Sequence, residues 1–166
     1  MTATGTVQRL SVKPKTPGQR GLPKQAVPRL RITPAGAEGD YNHYRTTKVH
    51  SDPNLAILVL TREVIDALRA EGWPVEPGDL GENLTLDGVP EASLKPGARL
   101  RIADVLLEVS QPCDPCTEVY VLPYVGKEKG PAFVRTLTGR RGWFTRVLAA
   151  GEIVPGASVE VTPTRT

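Results

Sequence analysis

The sequence predicts a mixed, β-rich, barrel-like fold with a few interspersed helices. Three observations carry this expectation. Sixteen glycines and sixteen prolines in 166 residues interrupt the chain every few positions, which favours many short elements over long helices. Strand-like and helix-like segments do not alternate regularly at the lengths a doubly wound parallel sheet needs. Two adjacent apolar segments, 99–102 and 105–109, are separated only by Ala103-Asp104 and read as a hairpin. The length suits one domain, and no repeat, linker or low-complexity tract divides it, so a single domain over residues 1–166 is expected.

Residues 6–13 read as a first strand in which Gln8, Leu10 and Val12 alternate imperfectly with Val7, Arg9 and Ser11. Residues 26–32 form a second, weakened by Pro28, which suits an edge or a bulge. Residues 33–54 are glycine-rich and polar, hold both histidines, His43 and His50, and read as a long loop of the kind that is often functional. An apolar strand is expected at 55–60. Thr61 then caps a helix with Glu63 in its first turn, an apolar stripe of Val64, Ile65 and Leu68, and Gly72 as its stop. A tight turn at 77–83 leads into a short strand at 84–86. Helical patterns follow Cys116 and return at 143–149, and a strand at 157–161 comes last. The expected total is about seven strands and three helices.

Twenty-one Lys and Arg against eighteen Asp and Glu leave a net charge of +3, too small a lean for a nucleic-acid partner. Neither basic stretch, near 13–24 or 140–146, carries the interleaved aromatics of a stacking surface. The N-terminus lacks the charged start and apolar run of a signal peptide, and no stretch is long enough to span a bilayer. A cytoplasmic protein without a membrane or nucleic-acid partner is therefore expected, with its two cysteines reduced or metal-bound.

Those cysteines carry the strongest chemical signal. Ser110-Gln111-Pro112-Cys113-Asp114-Pro115-Cys116 follows a strand and places two thiols three residues apart between prolines. Such a pair can hold a soft metal, form a redox disulfide, present one thiolate to a cofactor, or simply pack. Structural zinc needs four ligands and would have to recruit His43 and His50. In Gly36-Ala37-Glu38-Gly39-Asp40-Tyr41-Asn42-His43, the glycines allow close backbone approach to an anion, and Asp40 and His43 offer proton-transfer chemistry. Turn chemistry alone also accounts for that segment. Gly81-Glu82-Asn83 supplies a carboxylate and an amide suited either to a turn or to a pocket wall recognising a heterocycle. In Gly139-Arg140-Arg141-Gly142-Trp143-Phe144, the aromatics suit a core, and Arg140 suits a phosphate.

Taken in order, these segments resemble the MOSC family, named for the C-terminal region of molybdenum-cofactor sulfurases. The likeness is to small stand-alone bacterial members, some linked to detoxifying N-hydroxylated purines. The matching pieces are Gly39-Asp40 with His43, Pro77-Gly78-Asp79-Leu80-Gly81-Glu82-Asn83-Leu84, Leu107-Glu108-Val109-Ser110-Gln111-Pro112, Pro115-Cys116, and Gly139-Arg140-x-Gly142-Trp143-Phe144-x-Arg146-Val147-Leu148. The resemblance implies a barrel-like fold that binds the molybdenum cofactor (molybdopterin) or handles sulfur for it. Cys116 corresponds to the family's characteristic cysteine, whereas Cys113 falls where small members commonly have arginine. His50 is followed by Ser51-Asp52 where the family often continues with glycines.

By this resemblance the chain is expected to be an oxidoreductase that reduces N-hydroxylated compounds. Cys116 would ligate the metal, and His43 and Asp40 would handle a proton. Lys13, Gly39, Glu82, Asn83 and Arg140 would hold the cofactor, and a separate reductase would donate electrons. The alternative is a non-catalytic cofactor or sulfur carrier using a Cys116 persulfide. The long loop 33–54 is expected to border the pocket, with Asp40 and His43 facing the same cavity as Cys116.

Overall fold

A computed structural model describes residues 2–164, apart from the side chains of His43 and Tyr44. Among the described residues, seven strands close into a barrel: β1 (Ala3–Val12), β5 (Ile57–Thr61), β6 (Leu84–Asp87), β7 (Arg99–Ile102), β8 (Val105–Pro112), β9 (Trp143–Ala149) and β11 (Ser158–Thr162). Their order around the barrel is β1-β6-β5-β9-β8-β7-β11, and β11 pairs back to β1. Only β5 and β6 run parallel, because the chain between them crosses over through a helix, α2 (Arg62–Ala70). A short β2 (Gln25–Ala26) extends β1. Outside the barrel, β3 (Leu30–Thr33), β4 (Gly36–Ala37) and β10 (Gly151–Ile153) form a second small sheet.

Leu10, Leu84, Leu86, Leu100, Leu107 and Val161 help to fill the barrel. The imperfect alternation of β1 has a local cause: its register against β6 shifts between Val7 and Arg9. The extra residue lets Val7 and Leu10 both face the core. All five residues of β5 are buried. Ile57 and Val59 point into the barrel, while Leu60 packs beneath α2 and α3 (Gly126–Leu137). Leu58 joins Leu55, Cys113 and Phe144 in a third apolar cluster, which lies at the end of β8 where the thiol segment begins.

The helix expected after Thr61 is present. The Thr61 Oγ1 accepts from the Val64 N–H, and Val64, Ile65 and Leu68 are the buried face. The 99–109 hairpin also forms, and Ala103 supplies the left-handed turn conformation (φ 52°) that glycine more often provides.

Several expectations are corrected. Residues 143–149 form β9, held between β5 and β8, instead of a helix. The segment 33–54 is not unstructured: it contains β4, α1 (His43–Thr47) and a 3-10 turn at Pro53–Leu55. The second strand candidate is split by Pro28 into β2 and β3. Among the described residues no helix is long and apolar enough to cross a membrane.

Candidate functional site

Where β8 ends at Pro112, the chain continues through Cys113-Asp114-Pro115-Cys116 along one side of a cavity of about 170 Å³. Leu58 of β5, Phe144 of β9 and Leu22 give it apolar walls; Lys24 and Arg141 bring cations to it. The Cys113 N–H donates to the Gly142 carbonyl at 2.9 Å, which ties the thiol segment to the loop carrying Arg141. Gly142 has φ 96°, and a Cβ there would lie 2.7 Å from the Val59 carbonyl oxygen. The loop therefore reaches β5 only with glycine at that position.

The two thiols differ sharply. Cys113 is 8% exposed, and burial pushes its pKa up, with Arg141 partly opposing the shift. It is a packed, protonated thiol and a weak nucleophile. Cys116 is exposed at the start of the 3-10 turn Thr117–Val121. Neither is disulfide-bonded.

Arg141 is 6% exposed. Its Nη1 lies 3.4 Å from the Cys113 Sγ and 3.5 Å from the Asp114 carbonyl oxygen. Its Nε is buried without a hydrogen-bond acceptor among the described residues. A guanidinium held out of water with an unused donor favours an anionic ligand. Lys24, 4% exposed, puts its Nζ 2.5 Å from the Asp40 Oδ2. At the mouth, Arg20 and Glu118 form an ion pair at 3.6 Å.

Asp40 stands behind Lys24. Its Oδ1 accepts from the Lys13 N–H at 2.9 Å, and its Oδ2 also accepts from Asn83 Nδ2 at 2.9 Å. Asn83 in turn bonds Leu58 N–H and the Ser11 carbonyl, so a buried amide fixes the carboxylate. Asp40 and Asn83 line a second, smaller cavity of about 60 Å³, which shares Asn42 and Leu58 with the first. The long loop thus borders the main cavity through Tyr41 and Asn42, whereas Asp40 is absent from its lining. The expectation for His43 falls on a side chain outside the described residues.

The other expected cofactor residues sit elsewhere. Lys13 and Gly39 are not among the residues lining either cavity. Gly39 is exposed in a tight turn with φ 84°. Arg140 turns away from the site: it donates to the Thr136 carbonyl and grips Glu71, with Nη2 2.9 Å from Oε1, joining the ends of α2 and α3. Its neighbour Arg141 is the residue at the cavity. Lys24 and Arg141 are the functional candidates that sequence reasoning passed over. The only hint was their place in the two basic stretches.

Glu82 is fully buried behind the turn, not in the cavity wall. Its Oε2 accepts from Gly78 N–H at 3.0 Å and the Thr85 hydroxyl at 2.9 Å; Oε1 has no partner among the described residues. Burial, the largest cause, raises its pKa above the ordinary value of 4.5. The folded state therefore keeps a proton that the unfolded chain has released. Glu82 contributes its full stability below the unfolded value and loses it as pH rises through the higher folded value. In urea unfolding across pH, the parent is expected to lose stability relative to Glu82→Gln above pH 4.5, by at most about 1.4 kcal/mol per pH unit. A constant difference across that range would show that Glu82 does not titrate this way.

A model of the MOSC domain family matches residues 46–160, a stretch that runs from α1 through β11. The chain belongs to the MOSC family. It is 33% identical over 138 residues to protein YiiM of Escherichia coli, covering 80% of this chain but only 58% of YiiM. It is 38% identical over 101 residues to a protein named "Reductase" from Gibberella moniliformis, covering 56% of this chain and 17% of that protein. The chain thus spans little more than half of YiiM and a small part of the fungal protein. Among solved structures, YuaD from Bacillus subtilis superposes with a TM-score of 0.83 over 99% of both chains at 23% identity, which shows a shared fold and no more.

Proposed function

We propose that this MOSC protein binds the molybdenum cofactor in the main cavity and reduces N-hydroxylated compounds, with Cys116 as thiolate ligand to the metal. One observation carries the reading: an exposed thiol shares a cavity with a buried guanidinium whose Nε has no hydrogen-bond acceptor among the described residues. The residues present fit the group. A soft thiolate suits such a metal, Leu58 and Phe144 suit a flat heterocycle, and Arg141 suits a phosphate. Arg141 takes the anchoring role expected of Lys13 and Arg140.

Among the described residues no three His, Cys, Asp or Glu side chains converge as a metal cage. A metal here would therefore bring most of its ligands with it, as a cofactor-borne metal does. The cavity's 170 Å³ is below the roughly 300–1,000 Å³ of pockets that enclose a drug-sized ligand. A pterin would be enclosed only in part.

When bound, the group supplies the redox change. The chain's own residues then have separate tasks. Cys116 would hold the metal, Arg141 would hold the anionic end, and the apolar walls of Leu58 and Phe144 would exclude water. A separate reductase would deliver electrons, and the name of the fungal relative fits a reductive role. The exposure of Cys116 also suits a carrier that passes on a persulfide or the cofactor, the second reading. Turnover separates the two: an enzyme supplied with an electron donor reduces many equivalents of N-hydroxylated base, and a carrier transfers one.

Protein purified from a cofactor-competent host is expected to contain molybdenum and pterin near one equivalent each. A metal-free preparation that also fails to take up supplied cofactor would overturn the reductase reading.

A further inference from the structure

Resting on the reductase reading, we propose that Lys24 is the proton donor to substrate in the main cavity, and that Asp40 holds and recharges it from the second cavity. The Lys24–Asp40 pair joins a residue of the main cavity to a residue of the second. Lys24 lines the main cavity with Cys116. Its Nζ donates to Asp40 Oδ2, which leaves further N–H bonds of the ammonium for a ligand. Asp40 lines the second cavity, whose 60 Å³ has room for about two water molecules.

The other charged groups on the main cavity serve less well. Arg20 and Arg141 do not give up protons. Asp114 and Glu118 lie on the thiol side with Cys116, and Arg20 engages Glu118. Asp40 itself is absent from the lining, so a proton it carries reaches the main cavity by way of Lys24.

The step balances. Reduction of a hydroxylamine-type group breaks the N–O bond and consumes two electrons from a one-electron reductant such as a reduced viologen. The oxygen takes the Lys24 proton and leaves as water. The nitrogen takes a second proton from solvent and becomes the amine. Lys24 is left neutral and regains its proton through Asp40.

The test compares Lys24→Arg and Lys24→Met with the parent, using reduced viologen and an N-hydroxylated base. Lys24→Arg keeps the charge beside Asp40 but cannot donate. It is expected to hold molybdenum and pterin like the parent and to turn over at least about 100-fold more slowly. Added methylammonium is expected to restore part of the rate in Lys24→Met. Cyanate, which carbamylates only unprotonated amines, provides a readout without activity. In cofactor-free protein it is expected to label Lys24 faster in Asp40→Asn than in the parent, because the amine is then released from the carboxylate that holds it at 2.5 Å. Near-parental turnover in Lys24→Arg, cofactor loss in both variants, or equal cyanate labelling would each overturn the proposal. If the parent itself neither holds cofactor nor turns over, the reductase reading falls first, and the donor role goes with it.

Discussion

Cys116→Ser is expected to lose bound molybdenum and turnover together, each by roughly 100-fold or more, since even changes to groups that only support a metal ligand cost about 10–100-fold. Cys113→Ser is expected to keep most of both. The asymmetry follows from placement. Cys116 is exposed at the mouth, whereas Cys113 is packed with Leu58 and Phe144 and held as a thiol by burial. A dithiol mechanism is disfavoured by the backbone as well. Residues 113–116 run without a turn or bend, and Pro115 holds Asp114 extended. An extended stretch of that length spans roughly 9 Å, beyond the roughly 7 Å between Cα atoms that a disulfide tolerates. Metal analysis and pterin fluorescence on the two purified variants decide the matter. Equal and complete losses would point instead to a shared dithiol or zinc site.

The parts of this protein legible in its sequence are those fixed by local pattern. Thr61 with Val64, Ile65 and Leu68 specifies α2 because cap and stripe lie within one short segment. The 99–109 hairpin is legible from alternation alone. Strand β9 is not, because Phe144, Val147 and Leu148 fall at helical spacing. Pairing with β5 on one side and β8 on the other overrides that local signal. The site divides in the same way. Cys116 announces its chemistry by residue type. The choice of Arg141 over Arg140 depends on Gly142 meeting the β5 backbone, and Lys24 is buried because Asp40, sixteen residues on, folds back over it. Contacts of that kind leave no mark on periodicity or composition.

The second large effect expected is on stability, from the Lys24–Asp40 pair. Its side chains are only 3% and 9% exposed, so solvent screens the interaction little. Removing one partner of a buried pair typically costs about 3–5 kcal/mol, because the survivor stays out of water uncompensated. Asp40→Ala strands the Lys24 ammonium and also removes the acceptor for Lys13 N–H and Asn83 Nδ2. Urea unfolding is expected to place this variant at the upper end of that range. Lys24→Met should cost less, since Asp40 keeps both of those hydrogen bonds. The double variant Lys24→Met/Asp40→Ala is expected to recover about 2 kcal/mol relative to the sum of the single changes, because no charge is then stranded. Strict additivity would mean that the two charges do not stabilise one another. Asp40 would then act through its hydrogen bonds to Lys13 N–H and Asn83 alone, and Lys24 would lose the carboxylate that holds it beside the main cavity.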